Sequence, residues 1–500
     1  MGKRVAIVGS GCSGIGALWA LHTSTDHEVH LFESASRLGG HSNTVTYNGP
    51  NGSAIQVDTG FTVLYEATCP NFLAFLNEIG VPTAKTEMTF GISRDQGTFE
   101  WAETSLFSIF AQRRNLFSLS MWRLIFDVIR FDKFALDVLN DKQDSENEET
   151  SCRETIAKYL DREGYSQGFR DDYLVPVAAA IWSTSLDMCP LEFPAHTLIR
   201  FMYNHHLLST AAKRSNWLII PGGANQYIDA VLKDFPTERI HLECKVTALA
   251  STGTASVRLI ANSRDQEFDH VILATHGDQA LQILGLAATT EEAQVLSRFH
   301  STRNLAVLHS DISLMPKLRT AWSSWNCITE SPFPPRRTRN VPKVCLTSWA
   351  NSLQHISGDE FGPVLLTLNP LTMPDPRQAH GIWEYSHPQF HAAATEAQRL
   401  LPSIQNTRNI SYCGAWTGDG FHEAGFRSGL SVAMYHLGAT LPFEFVDSAV
   451  FCGGKPALTI KDHLLRLFVL IVQIAILLAE GSWRRLATVV DRRIASRRSA

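Results

Sequence analysis

The sequence predicts an α/β protein built around a parallel sheet, and three observations within its first forty residues predict it. An apolar run, Val5-Ala6-Ile7-Val8, leads into the turn Gly9-Ser10-Gly11-Cys12-Ser13-Gly14. A helix-compatible run, Ala17 to Leu21, comes next, and a second short strand, Val29 to Phe32, ends on the acid Glu33. Each part has a physical reason. Gly9 makes the tight strand-to-helix turn, Gly11 lets the backbone approach a pyrophosphate, and Gly14 lets the helix pack close to the strand. The helix N-terminus, with Ser13 in its first turn, offers free N–H groups and a positive dipole end. Glu33 lies nineteen residues after Gly14, where an acid accepts hydrogen bonds from an adenosine ribose. Together these predict a Rossmann-like, two-layer domain that binds a dinucleotide.

The residues after Glu33 narrow the choice of dinucleotide. The acid runs into a second glycine turn, Ser34-Ala35-Ser36-Arg37-Leu38-Gly39-Gly40-His41, with a basic residue on each side, and then into Val57-Asp58-Thr59-Gly60-Phe61-Thr62. Far downstream stands Tyr412-Cys413-Gly414-Ala415-Trp416-Thr417-Gly418-Asp419-Gly420-Phe421-His422-Glu423-Ala424-Gly425-Phe426. Trp217 to Asn225 leads into a helix-like stretch, Gln226 to Leu232; Ile240 to Leu249 reads as a strand pair; Phe268 to His276 reads as a buried strand ending in Ala274-Thr275. Taken together, these segments resemble the flavin-containing amine oxidase and phytoene desaturase superfamily over most of residues 1–440, and a Gly-Gly-His subgroup of it in particular.

The resemblance implies non-covalent FAD held by both ends of the chain. It implies Glu33 on the adenosine ribose, Val246 at the adenine, and Arg37, Gly40 and His41 beside the pyrophosphate and ribityl chain. It also implies a C-terminal helix whose N-terminus points at the flavin pyrimidine edge, with Gly425 and Phe426 at the flavin half. The departures are His41 where the superfamily usually has Arg, and Trp416 where an acid often stands, with Asp419 as its replacement. The cysteine motif that tethers flavin covalently in monoamine oxidases has no counterpart here.

Five hundred residues with a discontinuous cofactor pattern predict two interleaved domains. Residues 1–95, 215–300 and 405–440 form the FAD-binding domain, and 96–214 and 301–404 form an α+β substrate domain. A net charge of -5 argues against nucleic-acid binding through a general basic surface. Nine cysteines without Cys-x-x-Cys, and a cofactor strand that begins at Lys3, place the catalytic body in a reducing compartment. The sequence shows no zinc-ligand spacing, and Cys452-Gly453-Gly454-Lys455 lacks the parts of a phosphate loop. Trp101 to Leu139, crowded with Phe107, Phe110, Leu116, Phe117 and Trp122, reads as ordinary core helices, and Asp141 to Glu154 as a solvated loop.

A flavin carries the hard chemical step itself, so no catalytic triad is expected. Among nineteen histidines, His422 stands out with its neighbour Glu423, because the pair immediately precedes Gly425-Phe426; both are candidate proton acceptors, and Glu423 has helix capping as its plain alternative. Lys343 lies in the broad region of the amine-oxidase lysine, but no local motif supports it. The expected activity is FAD-dependent removal of a hydride from a C–H bond of a lipophilic substrate, a fatty acyl or terpenoid chain, with oxygen or a membrane acceptor taking the electrons. The alternatives are a double-bond isomerase, an amine oxidase and a non-catalytic flavoprotein.

The C-terminal tail has a different character. Leu464 to Ala479 is apolar except for Arg466 and Gln473, and Asp462, Arg466, Gln473 and Glu480 fall on one narrow stripe of a helix. Beyond them come Arg484, Arg485, Arg492, Arg493, Arg497 and Arg498. A hydrophobic helix over 458–480 with a basic tail over 481–500 predicts a membrane anchor, either a tilted span or a helix deep in the leaflet, with the catalytic body facing the cytoplasm.

Overall fold

A computed structural model describes residues 2–140, 154–182, 190–208, 216–251, 256–331, 343–447 and 458–498. The solvated loop expected over 141–154, Glu154 apart, lies outside these residues, as does the discounted Cys452–Lys455 turn.

The N-terminal βαβ unit forms as the sequence predicts. Strand β1 (Arg4–Val8) passes through the glycine turn into helix α1 (Cys12–Ser24), and β2 (Glu28–Phe32) returns parallel to it, with Ala6 opposite His30. Strands β3 (Ile240–His241), β4 (His270–Leu273) and β5 (Ile410–Tyr412) complete a five-stranded parallel sheet in the order β3-β2-β1-β4-β5. Its central strands are near-continuous apolar runs because both faces are covered. A three-stranded antiparallel meander, Val246–Ser251, Val257–Ala261 and Arg264–Phe268, links β3 to β4. The expected strand pair over 240–249 is therefore two strands of different sheets: Ile240–His241 extends the parallel sheet, and Val246 opens the meander.

The second domain is organised by a seven-stranded sheet. Its order is Ala379–Pro388, Ser301–His309, Leu365–Leu368, Lys343–Trp349, Trp325–Glu330, Phe90–Arg94 and Phe99–Ala102. Phe90–Arg94 pairs parallel with Trp325–Glu330, so the substrate sheet starts ahead of the expected boundary at 95. The helix Ala392–Leu400, placed by sequence in the substrate domain, buries Ala394 and Ala397 in the core beneath the parallel sheet instead.

Two further helices position the site. Helix α2 (Pro70–Glu78) and helix α4 (His422–Leu437) pack with α1 in one core containing Trp19, Phe72, Phe75 and Phe426. Helix α3 (Leu119–Phe134) buries Met121, Leu124 and Phe131 in the substrate-domain core. The core reading of residues 101–139 holds for that face only. Leu106, Phe107, Leu116, Phe117, Leu119 and Trp122 lie exposed, because the short helix Leu106–Ile109 and the turn Arg113–Phe117 have no layer above them among the described residues. Helix α5 (Ile460–Arg498) leaves the body along α3.

Helices α1 and α4 cross with backbone touching backbone. A Cβ at Gly429 would run into the Ser13 carbonyl oxygen, and one at Gly425 would stand 2.7 Å from Cys12 Sγ. Replacing Gly429 by Val should therefore force the helices apart and lower unfolding free energy by more than about 3 kcal/mol, the range of severe overpacking. A urea melt that matches the wild type would show that the crossing is not tight.

Candidate functional site

The site gathers at the carboxyl ends of the parallel strands, where loops from both ends of the chain converge. Gly9 holds φ +102°, a conformation open to glycine, and its N–H donates to Phe32 O. Gly11 caps α1 with ordinary extended geometry, φ -63° and ψ 176°, and a Cβ built on it meets nothing within 4 Å. That open space above a helix N-terminus is the fit test for a pyrophosphate, and the turn passes it. Gly14 has the opposite surroundings, its missing Cβ filled by the Gly9 carbonyl.

Glu33 stands at the end of β2 with its carboxylate held from both sides. It accepts from Ser10 N (3.0 Å) and Ser10 Oγ (2.6 Å) on one oxygen, and from Ala35 N (2.8 Å) and Ser34 Oγ (3.2 Å) on the other. Val246 is buried close by in the chain, and Glu33 O accepts from Cys244 N (2.8 Å). Ser13 is buried and hydrogen-bonds the Cys413 thiol, so its side chain serves the fold.

The second glycine turn packs onto the first. Gly40 places its missing Cβ 3.1 Å from Gly11 Cα, and Arg37 donates to the Gly40 (2.8 Å) and Leu38 (3.2 Å) carbonyls, locking the turn. His41 is not the cation that the sequence suggested. Burial, with His387, His276 and His422 nearby, holds it well below the usual imidazole range, so it is neutral at pH 7. Its ring stacks on His387 (5.1 Å between centroids) and meets Tyr385 edge-on (5.2 Å), with His276 at 6.1 Å. Burial pushes His387 down to about 4 and also lowers His276. This imidazole cluster was invisible in the sequence, since its members come from positions 41, 276 and 387. Tyr385 is fixed in turn by Thr59 (2.7 Å) and Asn43 (2.9 Å).

His422 and Glu423 diverge. His422, the first residue of α4, stacks on Phe61 with centroids 3.7 Å apart and meets Phe72 edge-on at 4.5 Å. Burial pushes its imidazole down to about 3, and its Nε2 is buried without a partner among the described residues. Glu423 turns the other way, to the N-terminus of α2. It accepts from Asn71 Nδ2 (2.6 Å), Asn71 N (3.3 Å) and Phe72 N (2.9 Å). Both oxygens are committed, so the pair splits into one site residue and one helix cap, and the cap is on α2 rather than on the helix that carries the glutamate. Burial raises Glu423 to about 7 against those donated hydrogen bonds. Asp58 plays a parallel part: it accepts from Ala224 N (2.9 Å) and Thr44 Oγ1 (2.5 Å) at the start of the helix Asn225–Leu232, and burial raises it to about 6.

The other expected contacts sort themselves by burial. Phe426 packs against Phe75 (4.6 Å) in the helix core, and Gly425 meets Cys12, so both serve the α1–α4 crossing and their side-chain space is taken. Trp416 is buried and donates to Thr275 O (2.8 Å), which explains why no acid stands there. Asp419 is exposed and accepts from Phe421 N (3.3 Å) in the turn before α4. Lys343 is exposed at the start of its strand, paired in register with Glu330.

Known proteins share this arrangement. A family model described as flavin containing amine oxidoreductase matches residues 13–310, more than half of the chain. No curated protein matches the sequence. Among solved structures, the CLA-producing fatty acid isomerase of P. acnes is 13% identical with a TM-score of 0.58, covering 87% of this chain and 98% of that one. Cyclohexylamine oxidase of Brevibacterium oxydans is 16% identical with a TM-score of 0.59, over 87% and 98%. A redesigned putrescine oxidase is 12% identical with a TM-score of 0.61, over 88% and 100%. At such identities the likeness is one of fold.

Three outcomes test the site. Gly11→Val should fold normally, because its Cβ points into open space, yet purify colourless; retained stoichiometric flavin would overturn the assignment. Glu423→Ala should cost about 1–3 kcal/mol in a denaturant melt through the lost cap and the stranded Asn71, while flavin content stays unchanged.

The third outcome is pH dependence. Six imidazoles (His41, His205, His270, His309, His387 and His422) lie well below 6.5, so below that pH the unfolded chain binds more protons and stability falls with acidification. Three carboxyls, Asp58, Asp172 and Glu423, are raised and act with the opposite sign, losing stability as pH rises through about 6–7. The imidazoles outnumber them, so the melting temperature should climb between pH 5 and pH 6.5; a flat or falling profile would contradict the buried-neutral assignment.

Proposed function

The chain belongs to the flavin-containing amine oxidoreductase family, and on that premise we propose that it binds FAD non-covalently and removes a hydride from a C–H bond of a lipophilic substrate such as a fatty acyl or terpenoid chain. One observation carries the substrate class. The imidazoles around the site are held neutral by burial, and the two buried carboxylates nearest to it, Asp58 and Glu423, are consumed as helix caps. A cationic amine would find no free buried counter-charge there among the described residues, and desolvating it unpaired is costly. An uncharged chain meets no such penalty.

The residues divide the work. The first turn of α1 presents N–H groups and a positive dipole end to the pyrophosphate, and Glu33 is oriented to take the ribose. Bound FAD supplies a hydride acceptor at N5. With the flavin bound, the N-terminus of α4 would offer its free N–H groups and positive dipole end to negative charge developing there. His422, clamped between Phe61 and Phe72, keeps Nε2 free to accept the proton lost from the neighbouring carbon. Oxygen or a membrane acceptor would take up the electrons. The exposed apolar helix that begins at Ile460 supports a position beside the bilayer, and the arginines from Arg484 to Arg498 support its cytoplasmic side.

His422→Phe keeps an aromatic ring between Phe61 and Phe72 but removes both nitrogens, so flavin should stay bound while its reduction slows by roughly 10²–10⁴, the span of a lost general base. An unchanged rate would return His422 to packing alone. Incubating the holoprotein anaerobically with a lipid extract tests the reaction. One bleaching of the flavin with a two-dalton mass loss in a lipid is the expected result. Turnover without any acceptor would make the protein a double-bond isomerase, the activity for which the P. acnes enzyme is named. Bleaching by amines but not by lipids would overturn the substrate class.

A further inference from the structure

A relay of side chains in the substrate sheet fixes where one imidazole carries its proton. It starts from a backbone group that can only donate. Leu305 N donates to Asn369 Oδ1 (3.0 Å), and Asn369 N donates back to Leu305 O (2.7 Å). Asn369 follows the strand Leu365–Leu368 at φ +51°, a conformation that asparagine tolerates. With its oxygen on Leu305, its Nδ2 donates onward to Asn304 Oδ1 (2.7 Å). Asn304 is buried, and its own Nδ2 then stands 2.7 Å from His387 Nδ1. An amide nitrogen donates and does not accept, so His387 Nδ1 is the acceptor. Burial pushes this imidazole down to about 4, so at pH 7 the ring is neutral and its one proton sits on Nε2.

The surroundings of the ring say what that proton serves. His387 lies near the end of the strand Ala379–Pro388, diagonal to Asn304 across the strand pair. It stacks on His41 with centroids 5.1 Å apart and 19° between the planes. Its Nε2 has no acceptor among the described residues, and a donor left unmatched in such a place is costly. His41 ties the ring to the cofactor turns, because the missing Cβ of Gly40 before it lies 3.1 Å from Gly11 Cα at the N-terminus of α1. The basic residues of that turn are otherwise committed. Arg37 is turned onto the Gly40 and Leu38 carbonyls, and His41 is neutral. The donor that remains beside the turn is the Nε2–H of His387.

We propose that His387 is a cofactor-binding residue whose Nε2–H donates to an oxygen of the phosphate–ribityl chain of bound FAD, and that Asn304 and Asn369 are positioning residues that hold its tautomer. The chain thereby uses a neutral donor where the superfamily's arginine would bring a charge. The proposal rests on the reading of FAD as the cofactor.

The test compares purified wild-type holoprotein with three variants. His387→Phe keeps a ring to stack on His41 but removes the donor, and after dilution it should release FAD about tenfold faster or more, the weight of a hydrogen bond to a charged oxygen. His387→Gln returns a neutral N–H at similar reach and should recover most of the retention. Asn304→Ala leaves the ring in place and frees its proton. In nuclear magnetic resonance spectra of protein with isotope-labelled histidine, the His387 signals are identified by their loss in His387→Phe. They should show protonation on Nε2 alone in the wild type and a mixture of tautomers in Asn304→Ala. Release from His387→Phe at the wild-type rate would overturn the donor, as would equal release from the Phe and Gln variants. A wild-type ring protonated on Nδ1 would overturn the relay. Wild-type protein that purifies with no FAD at all would instead overturn the cofactor reading beneath the proposal.

Discussion

The crossing of α1 over α4 is the contact on which the rest of the structure depends. Gly425 and Gly429 on one helix, and the backbone of Cys12 and Ser13 on the other, let two helix N-termini that lie more than four hundred residues apart in sequence point into one space. One N-terminus opens on the pyrophosphate turn and the other on His422. Two positive dipole ends at one place make an anion site that neither segment forms alone. Phe426 fills the groove left by Gly16, with 3.0 Å between the missing Cβ and its ring, so the aromatic that borders the site secures the crossing rather than reaching into the cavity.

That arrangement creates electrostatic demands of its own. Helix α2 begins against α4, and its N–H groups need an acceptor; Glu423 supplies one from the first turn of the neighbouring helix. Asp58 does the same for the helix Asn225–Leu232. Both carboxylates stand beside the site in sequence yet face away from it in chemistry. What remains around the cavity is aromatic and imidazole, and the imidazoles are kept neutral by burial. That lining is what the proposed preference for an uncharged chain rests on.

The sequence made some of this legible and hid the rest for identifiable reasons. Gly9, Gly11, Gly14 and Glu33 were readable because every constraint on them is local: a turn, a helix start and a fixed spacing. The C-terminal helix was readable because its apolar run is continuous. The stripe of Asp462 and Arg466 was also visible, although its use as the root on α3 was not. Adjacency misled at His422 and Glu423, since consecutive helix positions point about 100° apart, and one packs on Phe61 while the other caps α2. The cluster of His41, His276 and His387 could not be found, because two separate loops and a distant strand bring it together. The aromatic residues between 101 and 122 were read as core on composition, but a stretch too short to form a long helix cannot turn all its apolar side chains inward.

The C-terminal helix sets two preferences of the sequence against each other. A basic tail prefers the cytoplasmic, anionic face of a membrane, and a body with unpaired cysteines fits a reducing compartment. A helix crossing the whole bilayer would put the tail and the body on opposite faces and deny one of these preferences. The helix is tied at its start, where Asp462 and Arg466 hold the last turn of α3, and it runs unbroken to Arg498, so this root on the body sets the direction in which the apolar run and the arginines leave it.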